Sequence, residues 1–219
     1  MAMSPNDSTA NFDERLPSPL LAALGAHGGT RVFPSGAILI NEGDSTASLY
    51  IVLQGRVKAY ASDDSGREVV LGEFGPGEYL GELSLDGARR SASVKTLAPT
   101  TCCIVQAADL RAFLSEHPDF ALHLTHKLMH TVRRLTEQVK SLALQDVYGR
   151  VVRVLTELSE PEGERRVVRQ RLTQKDIAER VGSSREMVNR IMKELAAGGY
   201  VTAGEDHQLV IHRKLPAAW

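Results

Sequence analysis

The residues best placed to do chemistry fall in two clusters. The first is GELSLDGARRSASV, residues 81–94, where a carboxylate and two arginines flank glycine turns. Glu82 is suited to accept a hydrogen bond from a sugar hydroxyl. Arg90 is suited to hold a phosphate with two parallel N–H donors. Gly81, Leu83, Ser91 and Ala92 add backbone N–H groups or a hydroxyl beside them. Spacing alone leaves a second reading open, in which Glu82 and Arg90 pair with each other across the turn. The second cluster is LTQKDIAERVGSSREMVNRIMKEL, residues 172–195. Arg185, Glu186, Asn189 and Arg190 stand on the exposed face at the start of its second half. Arginine pairs with guanine O6 and N7, and a carboxylate accepts from cytosine N4, so this set has the chemistry of major-groove reading. The competing reading is a solvated helix face with Glu186 and Arg190 as an i,i+4 ion pair.

Local signals show how the second cluster is held. Thr173 caps a helix starting at Gln174, with Asp176 as its capping-box partner. Gly182 ends that helix in the left-handed conformation. Ser183 or Ser184 caps the next, which Gly198-Gly199 stops. Ile177, Ala178 and Val181 face Val188, Ile191, Met192 and Leu195 as buried stripes. Two helices joined by a short glycine turn form a helix-turn-helix, whose second helix enters the major groove. The hairpin pattern that follows, YVTAGEDHQLVIH, has the place of a wing, with His207 or Gln208 at its tip.

Upstream, the texture is different. Residues 1–30 form a polar leader and a short helix, PSPLLAALGAHGG, ended by glycines. Strand patterns follow at 37–40, 48–53, 56–61, 67–74, 91–97 and 102–105. Half of the 18 glycines lie between Gly36 and Gly87. Short strands with frequent turns predict a compact antiparallel barrel or sandwich. After Ala107 a short helix ends before Pro118, and a long helix runs on without Pro or Gly. On it Leu128, Val132, Leu135, Val139 and Leu142 are spaced 4-3-4-3, the coiled-coil seam. A helix packed on its own barrel would show a broader apolar face, so the seam favours pairing with a second copy. His123, His126 and His130 share one face of this helix. Metal or haem ligation is one reading, and solvent-side residues flanking a dimer helix is the favoured one. EPEGER, 160–165, reads as a turn.

Composition excludes several classes. The chain has 219 residues, 42% hydrophobic and 24% charged, the balance of a folded globular protein. No apolar run is long enough to span a membrane, and the polar N-terminus does not read as a secretory signal. The two cysteines, Cys102 and Cys103, are adjacent. They exclude a disulfide framework or a four-thiolate metal site within one chain, and the expected compartment is the cytoplasm. On a strand they alternate, one inward as a core residue and one outward. No GxSxG elbow, P-loop or HExxH motif occurs, so no catalytic residues are assigned. Residues 1–147 carry 13 basic and 17 acidic residues, net −4; residues 148–219 carry 13 and 10, net +3. The basic end suits a phosphate backbone.

Taken together, these motifs resemble the Crp–Fnr family of transcription regulators, from about residue 31 to 212. Residues 172–195 look like the family's DNA-reading segment, LALQDVYGRV like its interdomain hinge, and residues 81–94 like its cyclic-nucleotide phosphate cassette. The resemblance implies an α+β chain: a β-roll of jelly-roll type at 31–117, a dimerisation helix at 118–145 and a winged helix-turn-helix at 146–219. It implies cyclic-nucleotide contacts at Gly81, Glu82, Leu83, Arg90, Ser91 and Ala92, with cyclic AMP the first choice of effector and no cofactor required. On the dimer helix the base contacts fall on Leu135 and Thr136. Leu135 lacks the hydroxyl of the family pattern, and the arginine expected one turn earlier is Thr131, with Arg133 or Arg134 as substitutes. Cyclic GMP and a cyclic dinucleotide are the alternative effectors. Redox or haem sensing, or activity without ligand, are alternatives too, although residues 1–30 lack the cysteine cluster of the oxygen-sensing branch. It implies DNA contacts at Thr173, Gln174, Ser184, Arg185, Glu186, Asn189, Arg190 and His207, a TGTGA-like palindrome bound by a homodimer, and RNA polymerase as a further partner.

Overall fold

The computed structural model describes residues 13–204 and 208–216; His207 lies outside them. The chain forms two compact units, one running to Ala59 and resuming at Gly72–Arg134, the other combining Tyr60–Leu71 with the chain from Leu135 onward.

Helix α1 (Ser18–Gly25) leads into β1 (Gly28–Phe33), β2 (Ile38–Ile40), β3 (Ser48–Gln54), β4 (Val57–Ser62), β5 (Glu68–Phe74) and β6 (Tyr79–Leu80). A 3-10 turn over Glu82–Asp86 precedes β7 (Ser93–Thr96) and β8 (Thr100–Gln106). These strands make two four-stranded sheets, ordered β1-β8-β3-β6 and β2-β7-β4-β5. β8 pairs antiparallel with β1 and β3, β3 with β6, and β2 with β7. Strand alternation buries both faces of the first sheet. Val52, Leu80 and Cys102 point into the β-roll against Ile40, Val57, Phe74 and Val94. Leu49, Ile51, Tyr79, Cys103 and Val105 point the other way. There they meet α1, α2 (Ala107–Glu116) and α3 (Pro118–Leu144) through Leu24, Leu110, Phe113 and Phe120. Each such fully buried aromatic or aliphatic side chain stabilises by about 1.5–3 kcal/mol.

Four local readings are corrected. The first helix stops at Gly25, and Gly28-Gly29 begins β1 instead of ending a helix. Gly28 is required there, because a side chain would stand 2.4 Å from the Cys103 sulfur. Cys102 and Cys103 do alternate, but the outward face is covered by helices, so both are buried. EPEGER is a hairpin, β9 (Glu160–Glu162) and β10 (Arg165–Val168), turned at Gly163. His123 is buried, its Nδ1 3.2 Å from the Tyr79 hydroxyl and its Nε2 3.2 Å from the Arg15 carbonyl. A carbonyl only accepts, so Nε2 carries the proton and Nδ1 accepts from Tyr79. His130 Nδ1 lies 2.8 Å from Glu14 Oε1, and His126 is exposed. Among the described residues no group of histidines, cysteines and carboxylates could hold a metal ion.

In the second unit, α4 (Val147–Glu157), α5 (Gln174–Val181) and α6 (Arg185–Ala197) pack on a sheet ordered β11-β12-β10-β9, where β11 is Val201–Ala203 and β12 Leu209–Ile211. Tyr148, Val151, Leu155, Ile177, Val181, Val188, Ile191 and Leu195 form its core. The fold class is therefore α+β, a β-roll, a long helix and a winged helix-turn-helix. No helix of the described residues is long and apolar enough to cross a membrane.

Burial pushes the Cys102 thiol up to about 11, with the neighbouring Cys103 adding to the effect, and raises Cys103 as well. Neither thiolate is then appreciably populated near neutrality. Ellman's reagent at pH 8 is expected to label neither cysteine in the native protein and both in denaturant. Rapid native labelling would contradict this burial.

Candidate functional site

The β-roll cluster is organised by Arg90. Only 4% of it is exposed. Its Nε donates to Thr46 Oγ1 (3.2 Å), Nη1 to the Gly81 carbonyl (3.0 Å) and Ser84 Oγ (2.9 Å), and Nη2 to the Ser48 carbonyl (2.8 Å). These four bonds use four of the five guanidinium N–H groups. They tie the start of β3 to the 3-10 turn. Ser84 Oγ in turn donates to the Gly81 carbonyl at 3.0 Å. Gly81 enters the turn with φ of 92°, and a side chain there would stand 2.7 Å from both Arg90 Nη1 and the Ser48 carbonyl. Glycine is needed for backbone conformation and for space.

All four Arg90 acceptors are neutral. Among the described residues no carboxylate lies within ion-pair distance of it, so the Glu82–Arg90 bridge does not form. Burial lowers the Arg90 pKa, and the field of the Asp44 and Glu82 carboxylates offsets only part of this. Leu83 and Ser91 are exposed and Ala92 is half-buried at the same surface.

Glu82 has a different partner. Its Oε2 lies 3.6 Å from Nζ of Lys127, whose side chain is 1% exposed. Sequence reading missed Lys127, because lysine on a long helix reads as solvated. The signal was its spacing: Phe120, His123 and Lys127 are the buried residues of α3 and recur every three to four positions on one face. Of the two substitutes expected for the missing arginine, Arg134 reaches the β-roll. Its guanidinium lies against Gly72 of β5, where a side chain would stand 2.9 Å from Nη1, and its Nε is buried without a hydrogen bond. Leu135 and Thr136 belong to the second unit and are exposed there.

The open face of α3 carries the seam. Leu128 is half-buried, whereas Val132, Leu135, Val139 and Leu142 are exposed large apolar residues. Past the seam, the break between α3 and α4 is fixed by two residues. Asp146 caps α4 by accepting from the Gly149 amide (2.7 Å). Arg150 donates to the Gln145 carbonyl and to the Val181 carbonyl at the end of α5, both at 2.8 Å.

The helix-turn-helix follows the expected local rules. Thr173 and Asp176 form the capping box, Gly182 is left-handed with φ of 61°, and Ser184 caps α6 by accepting from the Met187 amide. Gln174 Nε2 donates to Asn189 Oδ1 (3.1 Å), which links the starts of the two helices. Thr173 Oγ1 is spent on Asp176 (2.7 Å). Arg185, Glu186 and Arg190 are exposed on the first two turns of α6. The i,i+4 ion pair between Glu186 and Arg190 does not form among the described residues, so all three side chains project from the helix.

This geometry agrees with the comparisons. Residues 30–117 match the model of the cyclic nucleotide-binding domain, and residues 149–215 that of the Crp-like helix-turn-helix domain. The cAMP-activated global transcriptional regulator CRP of Haemophilus influenzae is 34% identical over 188 residues, 81% of either chain. A CRP-like cAMP-activated global transcriptional regulator of Mycobacterium tuberculosis is 33% identical over 174 residues, 77% of this chain and 78% of that one. Among solved structures, the c-di-GMP responsive global regulator CLP of Xanthomonas campestris superposes with a TM-score of 0.80 at 27% identity, covering 90% of this chain and 99% of that one. A β-roll with a buried arginine, a long helix with an exposed apolar seam and a winged helix-turn-helix thus accompany the matches to both domain models and to relatives over most of their length: the chain belongs to the Crp family of cyclic nucleotide-binding, DNA-binding transcription regulators.

Proposed function

We propose that this regulator is a homodimer gated by a cyclic nucleotide, cyclic AMP first, which binds at Gly81–Leu83 and Arg90–Ala92. One observation carries the reading: Arg90 is a buried cation surrounded by neutral oxygens. Burying a charge is costly unless it is paired, and a ligand phosphate supplies the missing countercharge. Four of the five guanidinium N–H groups are engaged, so the phosphate replaces part of this network. Glu82 accepts from the sugar hydroxyl. The 33–34% identity to regulators described as cAMP-activated supports cyclic AMP. Leu135, in place of a hydroxyl-bearing residue, and the likeness to the c-di-GMP responsive CLP support a second reading, a cyclic dinucleotide.

The seam pairs α3 with a second copy, which covers Val132, Leu135, Val139 and Leu142. Two copies place two α6 helices in successive major grooves about 34–36 Å apart. Arg185 and Arg190 each read a guanine and Glu186 a cytosine of a TGTGA-like half-site. RNA polymerase is the partner at the promoter.

Three measurements check these assignments. Calorimetry with a panel of cyclic mono- and dinucleotides identifies the effector, and Arg90→Ala is expected to lose at least about 1.5–3 kcal/mol of its binding, as for a hydrogen bond to a charged group. Wild-type affinity in Arg90→Ala would remove the clamp. Leu135→Glu is expected to sediment as a monomer and to lose DNA affinity with the dimer; a dimer at micromolar concentration would remove the seam. In a randomised half-site selection, Arg185→Ala is expected to cost about 1–3 kcal/mol and relax one base pair. Equal weakening on every sequence would make Arg185 a phosphate contact.

A further inference from the structure

Lys127 is the one lysine of α3 that enters the protein interior. Its Nζ donates to the Tyr79 carbonyl and stands 3.8 Å from the Tyr79 ring centroid and 5.3 Å from that of Phe74. Both rings present their electron-rich faces to the ammonium. The charge that answers it most closely is Glu82, with Oε2 at 3.6 Å. That separation is too long for a hydrogen bond, and Oε2 is buried without any other donor. Charge attraction, not a directed bond, therefore holds the carboxylate. Glu14 and Glu78 also contribute to the field at Lys127, but no ion pair of Lys127 with either is formed among the described residues.

The two partners belong to different elements. Glu82 opens the 3-10 turn that Arg90 and Gly81 lock onto β3. Lys127 sits in the middle of α3, whose C-terminal end leads into the break at Gln145–Asp146. Separating them leaves two buried charges uncompensated, which is far more costly than losing an exposed pair. Any displacement of Glu82 is thus felt by α3. A ligand hydroxyl that donates to Glu82 adds a second partner to the same carboxylate, and so alters its hold on Lys127.

We propose that Lys127 is a positioning residue of the effector site: the buried cation through which a ligand bound at Glu82 acts on the long helix. This rests on the reading of Gly81–Ala92 as the nucleotide site. Lys127 touches no ligand in this role. It transmits the state of Glu82 to α3.

The test separates ligand affinity from ligand response. Cyclic AMP and the other nucleotides of the panel are titrated by calorimetry, and DNA affinity is measured by fluorescence anisotropy on a TGTGA palindrome, without ligand and at ligand saturation. In wild type the ligand is expected to tighten DNA binding by at least about fivefold. In Lys127→Met the saturated protein is expected to show less than about a third of that ratio, and Lys127→Arg is expected to restore most of it. Because Lys127→Met leaves a buried carboxylate unpaired, the double variant Glu82→Gln with Lys127→Met keeps the packing without either charge. It is expected to fold and to lose the response in the same way. A full response in either folded variant lacking Lys127 overturns the proposal and leaves the nucleotide site standing. Failure of wild type to bind any cyclic nucleotide overturns the site and the proposal together.

Discussion

The structure of the effector half depends on one constraint: the Arg90 guanidinium is buried, and a buried cation must be surrounded by acceptors. Thr46 and the Ser48 carbonyl supply two from a loop and the strand that follows it, and the Gly81 carbonyl and Ser84 supply two from a turn more than 30 residues further along the sequence. Gly81 must be glycine because no side chain fits between Arg90 and Ser48. The cassette is rigid for the same reason that it is charged. In the proposed reading its buried positive charge draws the ligand phosphate, which displaces part of this hydrogen-bond network.

A second buried charge extends this logic to α3. Lys127 and Glu82 compensate each other inside a shell of Tyr79 and Phe74. One face of α3 is thereby committed to the β-roll through Phe120, His123 and Lys127, while Val132, Leu135 and Val139 are exposed. The two faces of the helix thus differ in chemistry. Its inner face is aromatic and polar, and its outer face is aliphatic with the spacing that a second helix accepts.

Much of this was legible in the sequence, and what was missed has physical causes. The helix-turn-helix could be read closely, because caps and glycine stops are local: Thr173, Asp176 and Gly182 act as expected, and of the two serines offered as the second cap it is Ser184. The strands of the β-roll were visible by their turns, except β1 and β6. β1 begins with two glycines that resemble a helix stop, and the need for the first, Gly28, is set by Cys103, some 75 residues away. β6 is two residues long and exists only as a partner of β3. The partners of Glu82 and Arg90 were not legible. Carboxylate and guanidinium eight positions apart along the cassette suggest each other, but tertiary packing gives Glu82 to Lys127 and Arg90 to neutral oxygens. His123 was misplaced for a related reason, since its burial depends on Tyr79 and the Arg15 carbonyl.

In the proposed mechanism, effector and DNA binding are coupled through one dimer. Coupling free energies are reciprocal. The most direct measurement is therefore the effector dissociation constant, by calorimetry, for the free protein and for the protein saturated with a TGTGA palindrome. The account predicts that DNA tightens effector binding by the same factor as the effector tightens DNA binding. Equal effector affinity in the presence and absence of DNA would contradict it.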